Sequence, residues 1–333
     1  MVKFLIIRLS SIGDIILTTP VIRCLKNQFK EAEIHFLVKK QFFPVISANP
    51  YIDKFHCFDD NLSSLIKTIK EENFDYIIDL HNNIRSFIIK SRVKVKSYSV
   101  DKINFRKFLI VQFKLNILPD IHIVDRYLET VKFFGIQNDG KGLDYFIPKE
   151  DEIDLNSLPI EFRNRYIAIV TGGKHATKQI PAESLILMCK LLDFPVIVLG
   201  GPDDHQTGKI IAESAGGNVF NACGKYNINQ SAYLVRHALL LITTDTGLMH
   251  AGSAFNKIIL SVWGNTIPEF GMSPYMPHPS SKIYEIKELY CRPCSKIGYK
   301  KCPRGHFRCM KDQDFENIAE TAINLLRKTP EKK

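Results

Sequence analysis

The stretch LLLITTDTGLMHAGSAF, residues 239–255, passes from an apolar run through a polar turn into a helix-like segment. The run predicts a buried strand, and Asp245, Thr246 and Gly247 then form the turn that opens the helix. Backbone N–H groups at the start of that helix and the Thr246 hydroxyl would face one spot, which suits a pyrophosphate. His250 lies one turn further on, and we expect it to contact the same ligand rather than to be only a structural residue.

The same alternation of apolar runs and helix-like segments recurs along the chain, and it is typical of βαβ units with parallel sheets. The runs of the first half are KFLIIRL, IHFLV and YIIDL, and those of the second half include YIAIVTGG, PVIVLGGP and KIILSVWG. We therefore predict an α/β protein with two lobes, residues 1–150 and 166–310, joined by a charged linker at 151–165. Ligands of open parallel sheets bind at the carboxyl ends of strands, so polar residues directly after the runs are the functional candidates.

The composition is that of an ordinary globular protein. The chain has 333 residues, of which 45% are hydrophobic, and a formal net charge of +10. It has no signal-like start and no run of the roughly 18 apolar residues that a membrane span needs, so we expect a cytoplasmic protein that is able to contact a membrane surface. Positive charge is concentrated between residues 81 and 116, where nine cations stand against one acidic residue, Asp101. That segment should attract polyanions.

A carboxylate follows the first predicted strand, in SSIGD at residues 10–14. Gly13 allows a tight turn, and Asp14 enters the following helix, whose dipole stabilises its charge. Asp14 is either a helix cap or a general base that takes a proton from an attacking hydroxyl at the strand end. Arg8, near the end of the same strand, is either an ordinary surface cation or a residue that binds the acceptor, the molecule whose hydroxyl group attacks.

The stretch DLHNNIRS, residues 79–86, closes the third predicted strand with Asp79 and His81. These two residues are the next candidates for a base after Asp14. Asn83 and Arg85 lie in the polar loop behind them, ahead of the basic segment. They predict one wall of a site for an acidic acceptor, and the alternative is a set of turn residues on a solvated face.

Another strand end carries residues suited to a diphosphate, in TGGKHATKQIP at residues 171–181. Thr171 and Gly172 lie where bare backbone amides are able to approach a phosphate. The ammonium group of Lys178 would stabilise the charge that grows on a diphosphate leaving group as its bond breaks. A surface lysine at a helix start is the alternative, but cations are disfavoured there.

The stretch GGPDDHQ, residues 200–206, ends a further strand. Asp204, or Asp203 beside it, is a candidate for binding ribose hydroxyls, although Pro-Asp-Asp is also an ordinary turn. The pair lacks the spacing and partners of the DxD motif with which some sugar transferases bind a metal ion. We therefore predict that no metal cofactor takes part in catalysis.

Six segments occur in an order that resembles glycosyltransferase family nine, the bacterial heptosyltransferases, over nearly the whole chain. They are SSIGDIILTTPVIRCLK, FDYIIDLHNNIRS, HIVDRYLETVKFFGI, KHATKQIPAE, VIVLGGPDD and TTDTGLMHAGSAFNKIILSVWG. The resemblance implies a GT-B architecture of two Rossmann-like lobes, with the donor held mainly by the C-terminal lobe. It also implies that the last helix, about residues 311–328, packs back on the N-terminal lobe.

The resemblance further implies inverting, metal-independent transfer of a sugar from a nucleotide-diphosphate donor such as ADP-heptose. The acceptor would be an acidic, lipid-linked inner core of lipopolysaccharide at the inner membrane surface. By motif, Asp14 would be the base, Lys178 would bind the phosphates, and Arg85 would line the acceptor side. The residues carried over as donor ligands are Asp245, Thr246, Gly247 and His250. The chain departs from the family pattern at Ile180, where an aromatic residue usually precedes the proline, and this concerns local donor packing.

Four late cysteines have a spacing that is able to hold a structural zinc ion. They are Cys291, Cys294, Cys302 and Cys309, with His306 among them. Free thiols and a disulfide are the alternatives. A similar cluster recurs in relatives, which supports a shared structural role. The basic residues around the cysteines would also fit a nucleic-acid knuckle, but their position at the end of a transferase-like lobe argues against it.

Two other functions are compatible with parts of the sequence. The first is a transferase of the same fold that uses another nucleotide sugar for a different surface glycan. The second is a non-catalytic basic protein that binds RNA or anionic lipid through residues 81–116. The polar motifs at the strand ends argue against a simple binding surface, and we expect no nucleic-acid partner. A dehydrogenase is disfavoured because the chain lacks a GxGxxG motif.

Overall fold

The computed structural model describes residues 1–328, which form two compact units. The first unit contains residues 1–104 and 120–148, and the second contains residues 105–119 and the chain from Lys149 onward. The boundary after Pro148 lies beside the predicted linker. The first unit nevertheless differs from the expected lobe of residues 1–150, because residues 105–119 pack with the second unit.

The first unit is built on a parallel sheet. Its strands are β1 Val2–Ile7, β2 Ala32–Lys39, β3 Lys54–Phe58, β4 Tyr76–Asp79 and β5 Lys96–Ser99. They are arranged in the order β3-β2-β1-β4-β5, and Leu5 of the central strand pairs with His35 of β2 and Ile77 of β4. The side chains of β1 from Phe4 to Ile7 are fully buried. This is expected of a parallel strand that is covered on both faces.

Helices connect these strands and continue the chain into the second unit. They are α1 Ile12–Ile16, α2 Thr19–Gln28, α3 Leu62–Glu71, α4 Ile84–Val93, α5 Asn104–Phe113 and α6 Ile123–Leu128. Pro20 lies at the start of α2, where its missing N–H group is not needed by the helix. The connection between β1 and β2 therefore contains two helices, α1 and α2.

A buried arginine ties α2 to the end of the first unit. The Nε and Nη2 atoms of Arg23 each lie 2.8 Å from an oxygen of Asp139, and the guanidinium group also pairs with Asp144. The bidentate contact with Arg23 lowers the pKa of Asp139 to about 2. Because the side chain of Arg23 is only 3% exposed, the two carboxylates are needed to compensate its buried charge.

The second unit contains a larger parallel sheet. Its strands are β6 Ile167–Val170, β7 Val196–Leu199, β8 Val219–Asn221, β9 Leu240–Thr244, β10 Ile258–Trp263 and β11 Lys282–Glu285. Their order is β11-β10-β9-β6-β7-β8, so β6 lies between β9 and β7. The helices are α7 Ala182–Leu192, α8 His205–Ala215, α9 Ile228–His237, α10 Gly247–Ala254, α11 Arg308–Lys311 and α12 Phe315–Lys328. Every described strand pairing in this sheet is parallel.

The segment 105–119 joins the second unit through a small apolar cluster. Ile110 of α5 packs with Ile267 and Phe270, which follow β10. The ammonium group of Lys114 donates to the carbonyl oxygens of Cys291 and Pro293 at 3.3 and 2.7 Å. Part of the basic segment 81–116 is thus anchored to the second unit by its own side chains.

The last helix corrects the expectation that it packs on the N-terminal lobe. The apolar positions of α12 recur at helical spacing, and they are buried in the core of the second unit together with Leu185 and Met188 of α7. These positions are Phe315, Ile318, Ala319, Ala322 and Leu326. The sequence indicates an amphipathic helix but does not indicate which apolar surface it covers, so the choice of partner required the structure.

Among the residues that the structure describes, no helix is both long enough and apolar enough to cross a membrane.

Candidate active site

In the first unit, Asp14 is held at the carboxyl end of β1 by a buried arginine. Its Oδ1 atom lies 2.7 Å from the Nη2 atom of Arg8, and its Oδ2 atom accepts from the backbone N–H and the hydroxyl of Ser11 at 3.2 and 2.8 Å. Asp14 is the third residue of α1, so it also completes a capping box with Ser11. Its side chain is 24% exposed, which leaves it accessible to a ligand.

Arg8, which the sequence predicts either as a surface cation or as an acceptor-binding residue, is not on the surface. The residue is 5% exposed, and its guanidinium group donates to the carbonyls of Ser10 and Leu80 and to the hydroxyl of Tyr127. Burial alone would lower the pKa of Arg8, but the Asp14 carboxylate raises it overall, with smaller contributions from Tyr127 and Asp79. A buried, permanently charged guanidinium group favours the ionised form of Asp14 and fixes its orientation.

The other two candidate bases are less suited to proton transfer. Asp79 is fully buried, its Oδ1 atom accepts from the backbone N–H groups of His81 and Asn82, and its Oδ2 atom lies 2.8 Å from the ammonium of Lys90. Burial and the nearby charges of Arg8 and Lys102 lower the pKa of His81 to about 3. A neutral imidazole with so low a pKa is a weak base near neutral pH.

The remaining candidate residues of the first unit lie inside a helix, at a helix cap and on the surface. Gly13 lies inside α1, where its carbonyl accepts from the N–H of Leu17 at 3.0 Å, and not in a turn ahead of the helix as expected. Asn83 caps α4 by accepting from the N–H of Ser86 at 3.0 Å. Arg85 is exposed on the first turn of α4, so its guanidinium group is available to an acidic ligand.

In the second unit, the turn after β9 forms as the sequence predicts. Thr246 is the N-cap of α10, its hydroxyl accepts from the N–H of Met249 at 3.4 Å, and Gly247 is the first helical residue. The Thr246 hydroxyl also lies 3.0 Å from that of Thr243. His250 is buried at 1% exposure inside the same helix. The N–H groups at the start of α10 are therefore supported by a buried framework.

Lys178 and Asp245 contact each other directly. Lys178 follows β6 and Asp245 follows the neighbouring strand β9, and the Nζ atom of the lysine lies 2.5 Å from the Oδ2 atom of the aspartate. Both side chains are partly exposed, at 16% and 13%. The sequence predicts both residues as donor ligands but does not predict that they pair, because 67 residues separate them. The pair holds an ammonium group beside the N-terminus of α10.

The ends of β6 and β7 approach each other closely, and glycines make this approach possible. A Cβ atom on Gly172 would lie 2.6 Å from the Oδ2 atom of Asp204, and one on Gly200 would lie 2.7 Å from the Cβ atom of Asp204. Asp204 accepts from the N–H of Gly201 at 2.8 Å, and burial raises its pKa. The hydroxyl of Thr171 is buried at the same strand end and donates to the carbonyl of Leu199. Sequence reasoning missed Gly200, although the motif contains it.

The cysteine-rich segment buttresses the loop that carries Lys178. The backbone N–H of Tyr299 donates to the hydroxyl of Thr177 at 2.8 Å, and a Cβ atom on Gly298 would collide with His175. Arg292 is buried, pairs with Glu285 at 2.7 Å and donates to the carbonyl of Thr266. Arg292 therefore joins the cysteine-rich segment to the residues around the ends of β10 and β11.

The four late cysteines share one neighbourhood but do not converge on one point. Burial raises the pKa of Cys309 to about 12, with contributions from the other three thiols. Cys291 lies 3.7 Å from the Nε2 atom of His306. Among residues 1–328, however, the ligand atoms of three metal-binding side chains lie within 4.8 Å of one another only at His35, His56 and Glu72. In the arrangement seen here, the cysteines would have to move to bind zinc.

Comparisons with known proteins identify related sequences. The sequence model described as glycosyltransferase family 9 (heptosyltransferase) matches residues 62–302. The chain is 25% identical over 291 residues to lipopolysaccharide heptosyltransferase 1 of Campylobacter coli, covering 79% of this chain and 84% of that protein.

Two solved structures have a similar fold. The glycosyl transferase family 9 protein from Veillonella parvula has a TM-score of 0.80 at 21% identity, with 98% of each chain covered. The ADP-heptose lipopolysaccharide heptosyltransferase II of Escherichia coli has a TM-score of 0.73 at 19% identity, again with 98% of each chain covered. Together with the two parallel sheets, these similarities confirm the predicted GT-B fold class.

The close approach of β6 and β7 at their carboxyl ends, which glycines make possible, leads to a first prediction. Gly200→Ala should lower the free energy of unfolding by about 1–3 kcal/mol, because the added methyl group overpacks against Asp204 and Thr171. Thermal or urea denaturation measures this change. Gly217→Ala is the matched control, since nothing lies within 4 Å of a Cβ atom there. Equal stability of the two variants would contradict the close approach.

Proposed function

We propose that this chain, which belongs to glycosyltransferase family 9 (heptosyltransferase) and is therefore a glycosyltransferase, transfers a heptose from ADP-heptose to an acidic, lipid-linked inner core of lipopolysaccharide. The observation that carries the proposal is the Lys178–Asp245 pair at the N-terminus of α10, an arrangement suited to a diphosphate. The names of the Campylobacter coli and Escherichia coli relatives support the donor and the acceptor class.

The second unit is proposed to bind the donor. N–H groups at the start of α10 and the Thr246 hydroxyl are suited to the phosphate oxygens, and His250, one turn into the helix, is proposed to contact the same ligand. The Lys178 ammonium balances the negative charge that grows on the departing ADP. Asp245 orients Lys178, and Asp204, with Thr171 and Gly172 beside it, is suited to the ribose hydroxyls. No metal ion is invoked for this step.

The first unit is proposed to supply the base. Asp14 takes the proton of the attacking acceptor hydroxyl, while the hydroxyl oxygen forms a bond to the anomeric carbon from the side opposite the diphosphate. The bond between that carbon and the diphosphate oxygen breaks, ADP leaves, and the configuration inverts. Arg8 is a positioning residue in this scheme, because its contact with Asp14 at 2.7 Å holds the carboxylate in a fixed orientation at the strand end.

The protein is proposed to bind the acceptor at the inner membrane surface, where Arg85 and neighbouring cations contact the acidic groups of the acceptor. Support comes from the segment 105–119, where apolar side chains are exposed next to Arg106. The exposed fractions are 71% for Phe105, 48% for Phe108, 61% for Phe113, 57% for Leu115 and 51% for Ile117. Exposed aromatic side chains interleaved with cations are typical of segments that lie in an anionic membrane interface.

Donor binding is tested with nucleotides. ADP should raise the melting temperature more than UDP, GDP or CMP at equal concentration. Calorimetric titration should show that Lys178→Ala weakens ADP binding roughly 10- to 100-fold, because a charge-assisted contact is lost. The double variant Lys178→Ala/Asp245→Asn should recover part of this loss, since it also removes the carboxylate that would repel the phosphates.

Lys209→Ala is the matched control for the ammonium group. Lys209 forms an exposed pair with Glu213 in the same unit, at 3.8 Å, and its loss should leave ADP affinity unchanged. Equal stabilisation by all four nucleotides would count against an adenine donor. An unchanged affinity in Lys178→Ala would remove this residue from the donor site.

Asp14→Asn should reduce sugar transfer by roughly 10²–10⁴-fold at saturating donor and acceptor, because the amide is unable to accept the proton. We expect the variant also to lose stability, since it leaves the buried Arg8 without its carboxylate. Transfer rates are therefore measured below the melting temperature of each variant, and ADP affinity should stay near that of the wild type.

Asp139→Asn separates the two effects. It also breaks a buried arginine–carboxylate pair of the first unit, with Arg23, but it lies outside the strand-end loops. It should lose stability and keep transfer. If Asp14→Asn and Asp139→Asn reduce transfer equally, Asp14 is a structural residue and not the base.

Membrane contact is tested by co-sedimentation with phosphatidylglycerol vesicles. Phe105→Ser/Phe108→Ser should reduce the bound fraction, by roughly tenfold in the partition constant, because two apolar side chains no longer enter the interface. Ile160→Ser is the control, since Ile160 is equally exposed at 71% outside this segment. Binding should also weaken with salt. Binding of RNA but not of vesicles would contradict the proposed membrane partner.

A further inference from the structure

Two histidines and a glutamate converge at the edge of the first sheet, away from the proposed catalytic residues. His35 lies on β2 and His56 on the edge strand β3, and Glu72 directly follows α3. One ligand atom from each of the three lies within 4.8 Å of the others. His35 and His56 are 0% and 5% exposed, and the side chain of Glu72 is 14% exposed.

The hydrogen bonds of this cluster prepare two nitrogen atoms and one oxygen atom. The Nε2 atom of His35 lies 2.8 Å from the Oε1 atom of Glu33, so a proton on Nε2 leaves the Nδ1 atom of His35 with a free lone pair. That Nδ1 atom lies 3.0 Å from the Nε2 atom of His56 and 3.9 Å from the Oε2 atom of Glu72. Proteins usually orient a metal-binding histidine through a hydrogen bond from its other ring nitrogen to a group such as a carboxylate.

We propose that His35, His56 and Glu72 bind a zinc-like divalent transition metal ion. Zinc bonds to nitrogen and oxygen are about 2.0–2.1 Å long, so neighbouring ligand atoms of a tetrahedral site are about 3.4 Å apart. The separations of 3.0 and 3.9 Å lie on either side of this value. Two imidazoles and one carboxylate are a ligand set that suits zinc.

The charges around the cluster are compatible with a cation. Glu33 and Glu72 supply two negative charges. Lys54 pairs with the other oxygen of Glu72 at 2.5 Å, and Lys3 lies 3.8 Å from Glu33. Lys54 is therefore the group that competes with the metal for Glu72.

A route for the ion is present. A groove of about 370 Å³ is lined by His56 and Glu72, together with residues of β3 and α3. The ion would join β2, the edge strand β3 and the end of α3. His35 pairs with Lys54, the first residue of β3, and Glu72 precedes β4, whereas Asp14 follows the carboxyl end of β1. We therefore assign this site a stabilising role that is independent of the proposed sugar transfer.

The test uses the full-length chain, stripped of metal and titrated with Zn²⁺. Because the late cysteines are a second possible site, the titration is done in a Cys291→Ser/Cys294→Ser background. One equivalent should bind and raise the melting temperature. X-ray absorption should show a nitrogen and oxygen shell at about 2.0–2.1 Å and no sulfur shell at about 2.3 Å.

Three variants in that background distinguish a metal site from a buried polar network. His56→Gln should abolish the binding, and Glu33→Gln should weaken it roughly 10- to 100-fold, because His35 loses its orienting partner. Lys54→Gln should tighten it, since Glu72 is released from its competitor. Lys40→Gln is the control, because Lys40 pairs with Asp59 at 2.8 Å and does not contact the cluster.

The proposal is overturned if no zinc binds in the cysteine-deficient background, or if the bound zinc has a sulfur shell. It is also overturned if Glu33→Gln and Lys54→Gln leave the zinc affinity unchanged. These two substitutions lie at partly exposed positions, so they report on the site even where His56→Gln fails to fold. ADP binding should be the same with and without zinc, which separates this result from the test of the proposed function.

Discussion

The common direction of the strands is the constraint on which the rest of this structure depends. When all strands of a sheet run parallel, every carboxyl end lies at one edge, and the loops that follow neighbouring strands meet there. Strands β6 and β9 are neighbours, so Lys178 and Asp245 are in contact although they are far apart in sequence. Residues from the ends of β1 and β4 meet in the same way, where Arg8 donates to the carbonyl of Leu80. The sheet order therefore decides which loops are able to form a site.

Charged side chains at these strand ends are paired with side chains of opposite charge. Arg8 pairs with Asp14, Lys90 with Asp79 and Lys178 with Asp245, and each pair is at least partly removed from water. A buried charge without a partner is costly, so removing one member disturbs the fold as well as the chemistry. The polar residues that are candidates for catalysis or binding thus also stabilise the fold. Variants of such residues are informative only when a second buried pair, such as Arg23 with Asp139, serves as a reference.

The supporting parts of the second unit come from distant stretches of the chain. The cysteine-rich segment holds the loop of Lys178 through Thr177 and Tyr299, and α12 completes the core beneath α7. The segment 105–119 adds an apolar cluster with Ile267 and Phe270. The edge of the first sheet contains a different kind of cluster, formed by His35 of β2, His56 of β3 and Glu72 after α3.

The sequence by itself determined the α/β class, the strand ends as functional positions, and Thr246 as the start of a helix, because hydrophobic periodicity and capping are local properties. It did not determine that Arg8 is buried against Asp14, that α12 packs on α7, or that His35 meets His56. Those contacts depend on strand order and on which apolar surfaces meet, and each joins residues that are distant along the chain. Only the tertiary structure decides them, because the side chains of a local motif are compatible with several partners until the packing of the sheets selects one.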